Sequence, residues 1–542
     1  MKYRYIIAAV VAAAQVMAVP AKSKSAEQPF VFSPEQKLRL TERIIENYYV
    51  DSVDMNRTVE EGIISMLRTL DPHSSYSNRE ETIEMTETLG GGFSGVGISF
   101  NMLRDTLFVV STVIGGPCEK VGMLAGDRII VANDTLMSGA GRSTSDVRKI
   151  LRGPKGTTVR MKVQRQNEPE LIDFVVTRDE IPIYSVDAHY MAAPGVGYIK
   201  IVRFAESTEK GVKDALKALK KQGMKRLIID LQGNGGGYMN AAVAVAQLFL
   251  DKGDEIVYTK GLRMQPSYYS AASTGPYRDI EVVTMVDQSS ASASEILAGA
   301  FQDNDRGVVI GRRTFGKGLV QRPFPFPDGS MIRLTTAHYY TPSGRSIQKP
   351  YDEGEEDYNK DLYRRLQSGE LTDSTMSVAH PDSLRFTTRN GRVVYGGGGI
   401  TPDIFVPLDT TRVTPYYRDL VAKGVLNRYC LQYVDSRRKQ LKSDFKTVDD
   451  FARGFKVTDE MMTRLAQMAE ADSVKAVPDE VAASRDYLST IVKALIGRDL
   501  FDSSAYYQVA NPLNPMYLRA VEVINDTRRM QSVLASPDYA VE

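Results

Sequence analysis

The sequence predicts a multidomain α/β protein, in which a small strand-rich module and a larger α/β core are flanked by helical regions. Three observations lead there. A chain of 542 residues exceeds what one ordinary core holds, so two to four domains are expected. The apolar spacing changes along it: helical before residue 85, strand-like after residue 95, and alternating between the two from residue 197. Hydrophobic residues at 42% and charged residues at 25% are the proportions of a soluble globular protein.

The elements follow in order. Lys2 and Arg4 precede an apolar run from Tyr5 to about Val19, and small residues offer cleavage after Ala18 or Ala21. Residues 1–21 are therefore expected to be an export signal. No cysteine follows that run, which argues against a lipoprotein anchor. No later stretch of 18 uncharged apolar residues occurs, so no transmembrane anchor is expected once the signal is removed. Residues 30–88 read as helical: Ser33-Pro34 caps a segment in which Leu38, Ile44, Ile45 and later Ile63, Ile64 and Leu67 recur at helical spacing. Residues 89–180 form a separate module. It opens on Leu89-Gly-Gly-Gly-Phe-Ser-Gly95, holds strands near Val96–Phe100, Leu107–Val113, Arg128–Val131 and Val159–Val163, and has one helix near Ser145–Leu151.

Residues 181–407 alternate strand and helix, which implies a mixed or parallel sheet covered by helices. Within them, a polar, acidic stretch at about 350–395 reads as an exposed insertion. Helical patterns with breaks near Pro478 and Pro512 dominate 408–542.

Composition excludes several functions. With 68 Lys+Arg against 67 Asp+Glu, net charge does not suit a nucleic-acid binder. Cys118 and Cys430 are too few for a disulfide scaffold or a zinc cage. Four histidines without an HExxH pattern argue against a zinc hydrolase, and no cofactor is expected.

Three constellations remain. In Ser290-Ala-Ser292-Ala293-Ser-Glu295 a strand gives way to a helix. A serine on such a turn gains exposure and a partly positive helix end, although the same residues also make a capping box. Gly316-Lys317-Gly318-Leu-Val-Gln321 places a lysine in an uncharged, strand-like stretch. Burial lowers a lysine pKa toward a general base, and strand alternation puts Lys317 and Gln321 on one face. Asp230-Leu-Gln232-Gly-Asn-Gly235-Gly236-Gly237 ends a buried strand, with glycines that let backbone N–H groups converge on an anion. Gly311-x-x-x-x-Gly316-Lys317 matches part of a P-loop, but Gly318 stands where Ser or Thr must hold magnesium.

Taken in order, Gly95-Val96-Gly97-Ile98, the glycine loop after Asp230-Leu231, Ser290-Ala-Ser-Ala-Ser-Glu295, Thr314-Phe-Gly-Lys-Gly-Leu-Val-Gln321 and Tyr340-Thr-Pro-Ser-Gly-Arg-Ser-Ile347 resemble the carboxy-terminal processing (tail-specific) peptidases. These are S41-type Ser/Lys proteases with a PDZ domain, and the match spans about residues 35–407. The resemblance implies a spiral ββα core of the ClpP/crotonase type. It also implies Ser292 as nucleophile, Lys317 as general base 25 residues on, and Gln321 orienting the lysine. The N–H groups of Ala293 and of a glycine near Gly236 would form the oxyanion hole. Gly95, Val96, Gly97 and Ile98 would hold a substrate tail by strand addition, their backbone N–H groups receiving its carboxylate.

The expected protein is thus an exported serine endopeptidase of a bacterial periplasm or cell envelope, cutting near the C-termini of protein substrates. An adaptor or a second copy of the chain is a further expected partner. The alternatives are an inactive PDZ scaffold and, more remotely, an enoyl-hydratase-like enzyme. Gln232 departs from the family's usual Arg, so a salt bridge supporting the glycine loop is expected to be missing. Cys118 replaces a small residue, about 50 residues intervene between Gln348 and Gly398, and the region beyond 408 lies outside the family core.

Overall fold

The computed structural model describes residues 32–103, 105–113, 115–165, 168–373 and 381–535; the expected export signal lies outside them. Two compact units divide at Ser65/Met66. In the first, the helix Pro34–Tyr48 starts from Ser33, whose hydroxyl accepts from Gln36 N–H while the Gln36 side chain accepts from Ser33 N–H.

The second unit is built around a six-stranded sheet. Its order is Val186–Ala193, Val196–Ile201, Arg226–Asp230, Glu281–Val286, Val308–Gly311 and Ile404–Phe405. The first pair is antiparallel and the rest are parallel. Every residue of Val196–Ile201 is buried, as a strand covered on both faces requires. On one face Leu227, Ile229 and Val282 pack against the helices Thr208–Lys221, Met239–Gln247 and Ala293–Asp303. On the other, Ile228, Val283, Met285 and Ile310 pack against Met516, Tyr517, Ala520 and Ile524 of the helix Pro515–Asn525. The chain beyond 408 therefore divides. Residues 416–509 hold their own core around Leu426, Phe451, Leu465 and Ile496, whereas the final helices complete the central sheet.

A second sheet has the order Ser75–Ser77, Met331–Tyr340, Glu255–Gly261 and Met264–Ser270; Leu319–Pro325 also pairs with Met331–Tyr340. The strand-rich module is a third sheet, Ile98–Leu103, Thr106–Thr112, Arg128–Ala132, Thr158–Gln164 and Ile172–Thr177. The helix Thr144–Leu151 packs on it through Val147 and Leu151. Cys118 and Cys430 are both free and buried. Among the described residues, no helix is long and apolar enough to cross a membrane.

The polar stretch expected to be an exposed insertion is only partly so. It carries the helix Glu355–Gln367, whose Tyr358 and Arg365 are buried. Arg365 donates to the carbonyls of Arg313 and Thr314, and both Arg313 and Arg365 pair with Glu370. Charge composition suggested solvent, but these charges satisfy one another and the loop before Lys317.

Candidate active site

Parallel pairing places Asp230 opposite Met285, so the loops leaving these two strands emerge side by side at the carboxyl edge of the sheet, where α/β proteins build sites. The loops are stitched together. Ser290 Oγ donates to Leu231 O and Ser294 Oγ to Asn234 O, both at 2.8 Å, and Ala291 N–H also donates to Asn234 O. Ser290 and Ser294 are fully buried; Ser292 between them is partly exposed. Ser292 has φ 55° and ψ −114°, a strained conformation for a non-glycine residue and of the kind kept at functional sites.

Gly236 lies directly against this turn, with φ +99°. A Cβ there would stand 2.7 Å from Ala291 O and 2.8 Å from Ser292 Cβ. Gly236→Ala is accordingly expected to reduce peptide hydrolysis by about 100-fold, because the serine must shift; unchanged turnover would show that this crowding is harmless. The expected Gly236 donor needs correction. Its N–H is given to Asn234 Oδ1 at 2.9 Å, since the asparagine side chain folds back into its own loop. Among the described residues, the N–H groups of Gly235, Gly237 and Ala293 have no acceptor.

The missing arginine at 232 has a substitute. Lys200, from the neighbouring strand, lies 3.1 Å from Asp230 Oδ1 and donates to Gln232 O at 2.5 Å, with both charged groups buried. Tyr198 OH donates to Asp230 Oδ2 at 2.6 Å. A salt bridge therefore does support the root of the glycine loop.

Lys317 does not sit in a strand. The strand begins at Leu319, and the register slips between Val320 and Gln321, so the alternation that paired Lys317 with Gln321 does not apply. Gln321 Nε2 instead donates to Thr335 Oγ1 at 3.1 Å. Among the described residues, the Lys317 amine makes no hydrogen bond to Ser292 or Gln321. Burial foremost lowers its pKa; Arg333 adds to this, and Glu295 and Asp71 oppose it.

The residue joining both loops is Glu295, which the sequence showed only as a helix cap. Fully buried, its Oε2 accepts from Ser292 N–H at 2.7 Å and Lys317 N–H at 2.9 Å. Its Oε1 accepts from Gly316 N–H at 2.7 Å and Thr314 Oγ1 at 2.5 Å. Burial outweighs these bonds and pushes its pKa up to about 7. Tyr339 adds a second tie, its hydroxyl 2.6 Å from Lys317 O and 3.2 Å from Ser292 O. His73 Nε2 meets Tyr358 OH at 2.8 Å, and its pKa falls to about 4, through burial first and then the Lys317 charge.

In the strand-rich module, Val96, Gly97 and Ile98 line a cavity of about 220 Å³ between the strand Ile98–Leu103 and the helix Thr144–Leu151, with Phe93, Phe100 and Leu151. Gly97 has φ +76°. Gly95 lies on the adjoining strand Gly92–Gly95, paired with Asp179. Arg148 and Arg152, on the helix rim, are ion-paired with Glu84 and Glu87.

Three family models match the chain. The family model described as Peptidase family S41 matches residues 195–358, and a PDZ domain model matches 108–165. A family of unknown function matches 416–502. The carboxy-terminal-processing protease of Bartonella bacilliformis is 36% identical over 309 residues, covering 56% of this chain and 70% of that protein. The chain belongs to the carboxy-terminal processing proteases. Two Bacillus subtilis members, CtpB and CtpA, are 34% and 33% identical over 341 and 355 residues. They match 62% and 64% of this chain, and 69% and 74% of their own lengths. As a carboxy-terminal processing protease the chain is a serine-type endopeptidase, and its PDZ domain fits peptide binding.

Proposed function

We propose that this protease is exported and cleaves protein substrates near their C-termini with Ser292 as nucleophile and Lys317 as general base. The observation that carries the reading is a strained, accessible serine tied through one buried carboxylate to the backbone of a buried lysine. The neutral Lys317 amine takes the Ser292 hydroxyl proton as Oγ attacks the scissile carbonyl carbon. The Ala293 N–H and an unpaired N–H of the glycine loop receive the oxyanion. Collapse breaks the C–N bond, the lysine ammonium protonates the leaving amine, and water activated by the same amine releases the acyl group. Because no hydrogen bond joins Ser292 to Lys317 at rest, the proposal includes a closing movement before acylation.

The proposed organisation is a signal at 1–21, a helical region at 30–88, a PDZ domain at 89–180, a peptidase core at 181–407 and a helical region beyond 408. The relatives' name, carboxy-terminal processing protease, supports the site of cutting. The positive n-region and apolar run support export to the periplasm or cell envelope, and an adaptor or a second copy is a further proposed partner. The PDZ groove lined by Val96, Gly97 and Ile98 takes the free carboxylate of the substrate tail.

Two measurements test the proposal together. A serine-directed phosphonate is expected to label wild type at Ser292 and to leave Ser292→Ala unlabelled. Substrates with a free C-terminus are expected to be cut at least about 10-fold faster than amidated ones, since amidation removes the charge that the groove reads. Labelling at another serine would overturn the chemistry; equal cleavage of the two substrates would overturn the tail recognition.

A further inference from the structure

A chain of polar groups runs away from Gln321 to a segment far off in sequence. Gln321 Nε2 donates to Thr335 Oγ1 at 3.1 Å, and Thr335 Oγ1 donates to Asp71 Oδ1 at 3.0 Å. Asp71 is itself held. Its Oδ1 accepts from the N–H groups of His73 and Ser74, both at 2.8 Å, and its Oδ2 from Ser74 Oγ at 2.6 Å. The Asp71 turn is fastened to the second sheet by pairing of Ser75–Ser77 with Met331–Arg333, and by Thr335 N–H donating to Ser74 Oγ at 3.0 Å.

The direction of these bonds is forced by donor inventory. A carboxylate only accepts, so the single Thr335 proton is committed to Asp71. Thr335 then has only lone pairs to offer Gln321, and the Gln321 amide must turn its NH2 toward it. That leaves Gln321 Oε1 pointing away from Thr335, with no donor on it among the described residues. An amide free to flip would present NH2 to the lysine half the time, and an NH2 group cannot accept a hydrogen bond from an amine or ammonium.

We infer that Asp71 is a positioning residue for catalysis: acting through Thr335, it fixes the Gln321 amide so that its oxygen, not its nitrogen, is presented to Lys317 when the site closes. The inference rests on the proposed Ser292/Lys317 chemistry and on Gln321 as the residue that orients Lys317, the role the resemblance implies. Besides the chain of bonds, Asp71 contributes a negative charge that opposes the lowering of the Lys317 pKa. The other charged and titratable groups facing Lys317 are Glu295 and Arg333, with His73 alongside.

The test is a set of variants of the full-length protease, read as kcat, KM and the pH dependence of kcat. Thr335→Val keeps the side-chain shape and removes the hydroxyl. It is expected to lower kcat by about 10- to 100-fold with KM unchanged. It should also move the ascending pH limb down by up to about one unit, since the flipped amide disfavours the ammonium. Thr335→Ser restores the hydroxyl and is expected to rescue both. Asp71→Asn should act in the same direction with a larger shift of the limb, because the charge is lost as well. If Asp71→Asn melts early, Thr335→Val decides alone. A Thr335→Val enzyme with wild-type kcat and an unmoved pH limb overturns the relay. Lys317→Ala separates the two levels: an inactive Lys317→Ala beside a fully active Thr335→Val sinks only the relay, whereas an active Lys317→Ala sinks the dyad on which it rests.

Discussion

Lys317→Arg is expected to abolish cleavage as completely as Ser292→Ala, a loss of at least about 10³-fold, although it keeps the charge and much of the length of the side chain. A guanidinium does not give up its proton at any working pH, so it cannot accept one from a serine. The double variant should be scarcely worse than either single one, because in the proposed dyad the two groups act as a unit. Single-turnover rates on a peptide ending in a free carboxylate measure both comparisons. In the wild type the rate should rise with pH as the amine loses its proton, with a midpoint below the ordinary lysine value because burial disfavours the ammonium. Arg333 contributes to that lowering, so Arg333→Gln should move the midpoint upward. A midpoint that moves downward, or a Lys317→Arg enzyme with measurable turnover, would mean that another group serves as base.

Glu295→Gln is the second large effect. The carboxylate takes two donors on each oxygen. An amide offers one accepting oxygen, and its NH2 would face two donors on the other side. Each buried donor left without a partner costs about 1–3 kcal/mol. The variant should therefore melt at lower temperature and lose roughly 100-fold or more in turnover, as the backbone of Ser292 and of Lys317 come apart. The pH dependence carries a sign. Because the folded-state pKa of Glu295 is raised to about 7, its contribution to folding is full below the unfolded-state carboxylate range and fades as pH rises through about 7. Only the wild type titrates there, so in thermal melts from about pH 4 to 8 its melting temperature should fall as pH rises through about 7, with no matching step in Glu295→Gln. An equal step in both proteins would show that another group titrates.

The motifs proposed to carry the chemistry were legible because each is local: Ser292 on a strand-to-helix turn, Lys317 between two glycines, and the glycine loop after a buried strand. Glu295 was visible in the same motif, yet a helix cap and a clamp across 22 residues look identical in one dimension. The alternation argument that paired Gln321 with Lys317 failed for a physical reason, since alternation holds only inside a strand and Lys317 lies before the strand begins, with a register slip further on. The Asp71–Thr335 bond joins residues 264 apart, and no periodicity reports such a meeting. Lys200 was likewise missed as the partner of Asp230, because a lysine in an apolar strand carries no mark of its counterion. Residues beyond 408 read correctly as helices, but amphipathic spacing tells which face is buried and not what covers it.

That covering has a consequence for how the protease comes into being. The helix Pro515–Asn525 shields Ile228, Val283 and Ile310, strands made more than 200 residues earlier in synthesis. Until it arrives, much of one face of the sheet that aligns the serine and glycine loops lacks its cover. Long-range closure of this kind is slow, and an open apolar face of that size invites association. A chain cut short before residue 515 is therefore expected to leave this face uncovered, and to melt earlier and associate more readily than the full chain.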